Sequence, residues 1–167
     1  LSGANLSFVD LSEHDLTGTN LIGVKLSYAK ISKESLKGKY LLGANLSFVD
    51  LSGHDLTGTN LTKANLSNSN PVGVDLSGMD LSGANLSNVD LSGHDLTGTN
   101  LSDTLLVRTN LSGIDLRSIP LTNADFRYAN LSDSKLLDSL LVDNKFDHAT
   151  LKNINFAGKN LSKSSFQ

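Results

Sequence analysis

The chain has no cysteine and no tryptophan, and only one methionine and two prolines among its 167 residues. Lack of cysteine excludes disulfides, thiolate metal sites and thiol nucleophiles. No apolar run approaches membrane-spanning length, and none is built like a signal peptide, so no membrane partner is expected. Aromatic residues make up 5% of the chain, which suits an interior too narrow for large rings. The net charge of −3 is small, and no block of basic residues is long enough to suggest direct nucleic-acid binding. No glycine-rich phosphate loop is present, because the glycines follow a regular turn pattern.

What the chain does have is a period. Every fifth residue is Leu or a close substitute from Leu1 to Phe166, without a slip of register. Pro71 and the late Phe126, Phe146, Phe156 and Phe166 are the main exceptions in kind. A five-residue period fits neither an α-helix nor a flat strand, so the chain winds as a solenoid. Two places before each such centre stands a small or apolar companion, as at Ala4, Val9, Val24, Ala29 and Ala44. Asn or Asp lies between companion and centre, and Ser or Thr and then often Gly follow. Centre and companion therefore point inward and the other three positions outward, alternating in a short extended piece that a turn resets. Asn, Asp, Ser and Gly are suited to such turns.

A forty-residue period overlies the first: 1–20, 41–60 and 81–100 are nearly the same text. Four pentapeptides per square coil put Leu1, Leu21 and Leu41 in one column, spaced by roughly 4.8 Å. About eight coils of twenty residues then make a rod about 40 Å long. The strings Ala-Asn-Leu-Ser, Ala-Asp-Phe-Arg-Tyr at 124–128 and Ala-Asn-Leu-Ser-Asp at 129–133 closely resemble the pentapeptide-repeat proteins. The resemblance covers essentially the whole chain. It implies an all-β fold, a right-handed quadrilateral parallel β-helix, as a single domain over 1–167. It says little about function.

Pro71 at a centre and Pro120 in the polar column each remove a backbone donor, so each is expected to mark a ladder defect. Asn-Leu-Ser/Thr recurs at nine sites, among them Asn5, Asn45 and Asn65. So many glycan acceptors on one tight coil would be awkward in a eukaryotic secretory pathway. A bacterial cytoplasmic setting is favoured, with secretion left open.

His14, Glu34, His54 and His94 share one companion column. Two His and a carboxylate suit a metal facial triad, but a dry, narrow interior favours a hydrogen-bonded polar stack instead. No metal and no cofactor are expected. Thr19, Thr59 and Thr99 should act likewise on the next face, and Lys39 in that column is placed to pair with Glu34. Ser, Asp and His recur throughout, yet a rod with flat faces offers no catalytic pocket, so no enzyme is expected.

Two surfaces stand out. Phe8, Tyr28 and Phe48 form one outward column, with Ile22, Tyr40 and Leu42 as a second apolar group; together they are a candidate partner surface. Asn68 and Asn88 replace the aromatics later in that column, which confines the patch to the first coils. Asp55, Asp75, Asp95 and Asp115 form an acidic column, with Asp50, Asp80 and Asp90 on other columns. The bland reading of these carboxylates is turn capping by backbone N–H groups. The sharper readings are cation binding or an electrostatic surface, and the resemblance implies one form of the latter: pentapeptide proteins that protect DNA gyrase are thought to present an acidic rod resembling duplex DNA. The expected function is a non-enzymatic protein-interaction or structural module, with a DNA-mimicking modulator of a type II topoisomerase as the alternative. Self-association through coil ends, or through outward Leu137, Leu140 and Val142, is a further expectation.

Overall fold

The computed structural model describes residues 1–136, 141–158 and 160–167. The pentapeptides wind into square coils of twenty residues, a right-handed quadrilateral parallel β-helix. The four faces are centred on Leu1, Leu6, Leu11 and Leu16, and are called the first to fourth face. Extended segments are very short: β1 (Asp10–Leu11) pairs in parallel with β2 (Lys30–Ile31). Elsewhere the coils meet through single parallel bridges between residues twenty apart. Among the described residues no helix is long and apolar enough to cross a membrane.

The inward columns are as the period requires. Leu21, Leu26, Leu36, Leu41 and Leu46 are fully buried, as are companions Val24, Ala44, Ala64 and Ala84. Near the C-terminal end Phe126, Phe146 and Phe166 replace Leu on the second face and stack at 5.1 and 5.0 Å.

Nearly every described corner is a four-residue turn closed by a companion amide on the preceding centre carbonyl, as in Ala4 to Leu1 and Ala44 to Leu41. The third residue of nearly every turn has φ near +60°, the conformation a type II turn demands. Oxygens of the Asn and Asp side chains accept the amide two residues on, for example Ser52 to Asp50 and Thr62 to Asn60. These Asx turns fix the direction in which the chain leaves each face.

Most polar companions follow one rule; Thr19 donates instead to Leu16 in its own coil, and the buried Ser134 hydroxyl has no partner among the described residues. Thr59, Thr99, Thr104 and Thr109 donate to the carbonyls of Leu36, Leu76, Leu81 and Leu86, each 23 residues back. Asn144 does the same to Leu121, and Lys39 to Leu16. A buried hydroxyl, amide or ammonium thereby meets an acceptor in the coil below. Lys39 is therefore not paired with Glu34: its Nζ lies 2.6 Å from the Leu16 carbonyl.

The inter-coil ladder differs from face to face. On the second face it is unbroken through eight successive bridges, from Asn5↔Lys25 to Lys145↔Ser165. On the third it breaks twice: between Lys30 and Asp50, and between Asn70 and Asp90, where Pro71 lacks the amide that Leu51 and Leu91 donate at 2.9 Å. Pro120 still accepts from Leu101 at 3.0 Å, so its defect is confined to the missing donor. On the fourth face no bridge forms before Asp115↔Lys135. Companion size separates the second face from the fourth, although the gap between Lys30 and Asp50 has the small companions Ala29 and Val49. Second-face companions are mostly Ala, whereas the fourth face carries His14, Glu34, His54, Val74, His94 and Ile114. Larger side chains inside a coil hold adjacent backbones apart.

Candidate functional site

The acidic residues lie on three faces. Asp50 and Asp90 sit on the third, Asp80 on the first, and Asp55, Asp75, Asp95 and Asp115 on the fourth. Neighbouring side chains compensate most of them. Asn70, Asn100 and Asn110 donate to Asp50, Asp80 and Asp90 at 3.0, 3.2 and 2.9 Å from the next coil. Asp55 pairs with Lys37 at 2.6 Å. Asp115 is gripped by Arg117 at 2.7 Å, with Lys135 at 3.8 Å. Among the described residues Asp75 and Asp95 have no such partner. Asp75 accepts from the Ser77 hydroxyl and amide, and Asp95 from the Thr97 amide.

These contacts hold the carboxyls of Asp50, Asp55, Asp75, Asp90, Asp95 and Asp115 below their ordinary range. For Asp55 the largest cause is Lys37, and for Asp115 it is Arg117. The Ser77 hydroxyl and amide lower Asp75 more than its neighbour Asp95 raises it. Asp10, bonded by the Ser12 hydroxyl and amide, falls to about 2. Burial pushes Asp125 up, but Arg127 and Lys145 outweigh it and the group ends low.

The histidine column does not assemble. His14 is exposed. Glu34 is exposed as well, because the chain slips there: the Asp55 amide bonds the Lys33 carbonyl rather than that of Glu34. His54 is buried, with Nε2 3.1 Å from the Ile31 carbonyl. A carbonyl only accepts, so this nitrogen carries the proton. The ring nitrogens of His94 face the carbonyls of Leu91 at 3.2 Å and Pro71 at 3.0 Å. Both rings follow the 23-residue rule, and among the described residues no three His, Asp or Glu side chains gather as a metal site. The missing ladder leaves open clefts on the fourth face, one of them about 580 Å³ between residues 53–60 and 73–80.

The aromatic column forms as expected, at the corner between the second and third faces. Phe8 and Tyr28 stack at 4.9 Å and Tyr28 and Phe48 at 4.5 Å, within 6° and 8° of parallel. They are 74, 47 and 46% exposed. Ile22 and Leu42 mark the corner on the other side of the second face, and Tyr40 stands exposed on the first face. Three residues of the same column escaped sequence reasoning. The Arg108 guanidinium lies 4.8 Å over the Tyr128 ring, and Tyr128 stacks on His148 at 4.7 Å. Their twenty-residue spacing was the available signal, but a search for apolar residues passes over Arg and His.

All eight residues of this column have φ between 58° and 64°, yet none is Gly. The other three turn columns use Gly repeatedly at the same position. Of the residues set aside for self-association, Leu137 and Leu140 lie outside the described residues, and Val142 is half-buried.

Square parallel coils with Asx-locked corners define a class of β-solenoid. The family model for pentapeptide repeats matches eight copies, over residues 1–33, 40–70, 72–103 and 104–141, and the chain belongs to that family. No curated protein sequence matches it. Among solved structures it is similar to HetL, a pentapeptide repeat protein involved in heterocyst differentiation regulation in the cyanobacterium Nostoc. Identity is 27% over 99% of this chain and 84% of HetL, with a TM-score of 0.35. QnrB1, a plasmid-mediated fluoroquinolone resistance protein, is 17% identical over 99% of this chain and 84% of its own, with a TM-score of 0.38. Rfr23 from the cyanobacterium Cyanothece is 28% identical over 64% and 58%, with a TM-score of 0.21.

Proposed function

We propose that this solenoid is a non-enzymatic contact module that binds another protein surface along the corner bearing Phe8, Tyr28 and Phe48. One observation carries the reading: exposed aromatic rings are kept at left-handed positions where Gly would carry no steric strain. A left-handed conformation costs an L-residue about 1–2 kcal/mol. A stacked pair returns about 0.5–1.5 kcal/mol. Two stacks against three strained residues do not repay the cost through stability alone, and strain at an exposed patch is a mark of function. Tyr28 is stacked on both faces and Phe8 and Phe48 on one each, so the column presents mostly ring edges outward; that suits a protein surface better than nucleobases, which stack face to face. A Phe8→Ser, Phe48→Ser double variant with unchanged circular dichroism should lose the protein partner, whether a second copy or a different protein, that wild type holds in pull-down and sedimentation. Retained association would refute the reading.

Asp75 and Asp95, adjacent and without cations, favour a second reading, an acidic face that modulates a type II topoisomerase. Its test is gyrase supercoiling with and without a quinolone, using wild type and an Asp75→Lys, Asp95→Lys variant. Loss of an inhibitory or protective effect in the variant supports it, and no effect of wild type at micromolar concentration ends it.

A further inference from the structure

We propose that the occupant of the aromatic corner is a second copy of this chain, laid antiparallel along the whole column; this rests on the reading of that corner as a contact surface. The column runs Phe8, Tyr28, Phe48, Asn68, Asn88, Arg108, Tyr128, His148, and spans about 34 Å at a coil spacing of 4.8 Å. A two-fold axis crossing the corner between Asn68 and Asn88 brings each residue opposite another of the same column. Phe8 then faces His148, Tyr28 faces Tyr128, Phe48 faces Arg108 and Asn68 faces Asn88. The pairs are chemically matched. The edge of Phe48 meets the apolar stem of Arg108, whose guanidinium already lies over Tyr128, two tyrosines meet as aromatic edges, and two carboxamides each offer a donor and an acceptor. An isologous contact needs this kind of self-complementarity.

The flanking columns agree. In the third-face column Asp10 faces Thr150, Lys30 faces Asn130, Asp50 faces Asn110 and Asn70 faces Asp90. In the second-face column Asn5 faces Lys145, Lys25 faces Asp125, Asn45 faces Leu105 and Asn65 faces Asn85. No like charges oppose each other in either. Asp125 is buried beneath Arg127, so the value of these columns is the absence of repulsion rather than added ion pairs. A parallel pairing in register sets Arg108 against Arg108 and gives up the Phe48 pair. Repulsion of that kind selects against the wrong arrangement. The contact is narrow, so the dimer is reversible.

The chain's lack of cysteine makes the test clean. Phe8→Cys and His148→Cys proteins are prepared separately, checked for wild-type circular dichroism, mixed, and oxidised mildly. The antiparallel dimer gives the mixed disulfide at more than about tenfold over either homodisulfide, because like positions lie about 34 Å apart across the axis. Homodisulfides in equal or greater yield overturn the arrangement. Wild type, which needs no substitution, should sediment as a dimer at about 100 µM, and Tyr28→Asp should return it to monomer. A wild-type monomer at that concentration overturns the second copy as occupant. It leaves the contact-module reading standing if a different protein is lost on the Phe8→Ser, Phe48→Ser change.

Discussion

The left-handed turn position decides what a substitution at the aromatic corner does. Phe8 stacks on one ring and Tyr28 on two. Phe8→Gly removes one stacking contact and relieves one strained residue, so urea unfolding should find its stability within about 1 kcal/mol of wild type. Tyr28→Gly gains the same relief and the same added freedom in the unfolded chain, but loses two contacts. It should fall below Phe8→Gly by about one contact, roughly 1 kcal/mol. Equal stabilities would show that the stack contributes nothing to folding. The 23-residue rule is tested in the same way. Thr99 is fully buried and donates to Leu76 at 2.8 Å, while the Met79 amide donates to the same carbonyl at 3.2 Å. Thr99→Val keeps the shape and leaves that carbonyl one donor. The cost should be about 1 kcal/mol, the net value of one hydrogen bond, rather than the larger penalty of an orphaned acceptor.

Within a coil, the companion residue separates the laddered second face from the open fourth. Fold, inward columns and the gap at Pro71 could be read from the sequence, because the five-residue period and the missing proline N–H act locally. The open fourth face could not, since it depends on how much room His54 and His94 take inside coils whose spacing the other faces share. Glu34 was misplaced for a related reason: the slip at Lys33 that turns it outward leaves the five-residue text unchanged. Amide exchange should reveal the contrast. Asn65, Leu66, Asn85 and Leu86 donate across coils at 2.8–2.9 Å and should exchange slowly. Leu56, Gly58 and Leu61 have no backbone acceptor across the cleft and should exchange faster by orders of magnitude. Gly78 reports the same cleft: a Cβ there would meet nothing within 4 Å, whereas at Gly98 it would lie 3.5 Å from Gly78. Pro71→Leu restores the Leu found above and below it in the column, together with the amide that reaches toward Asp90. One hydrogen bond and a better filled centre should raise stability by about 1–2 kcal/mol. A destabilised variant would mean that proline is required at this coil rather than tolerated.

Across the whole molecule, carboxylates can act in two opposite ways, and pH separates them. If like charges stacked along the fourth face repelled one another, protonating them would stabilise the rod. The turn bonds argue for the reverse. Asp10, Asp15, Asp50, Asp55, Asp75, Asp90, Asp95, Asp115 and Asp125 all titrate below the ordinary value of 3.8. Asp10 reaches about 2, with the Ser12 hydroxyl as the largest cause. A group whose pKa is lower in the folded state leaves the unfolded chain holding more protons between the two values. Stability therefore rises with pH through that window. The contribution is complete above the unfolded value near 4 and is lost as pH falls through 4 toward 2 and below. Thermal melts should hold a constant midpoint from pH 7 to 5 and then drop steadily to pH 2. Because these turns recur in six of the coils from Asp10 to Asp125, most of the rod should soften together and the transition should stay single. A midpoint that climbed between pH 5 and 3.5 would mean that repulsion along Asp75 and Asp95 outweighs the turns, and would strengthen the case for an acidic face kept at a cost for binding.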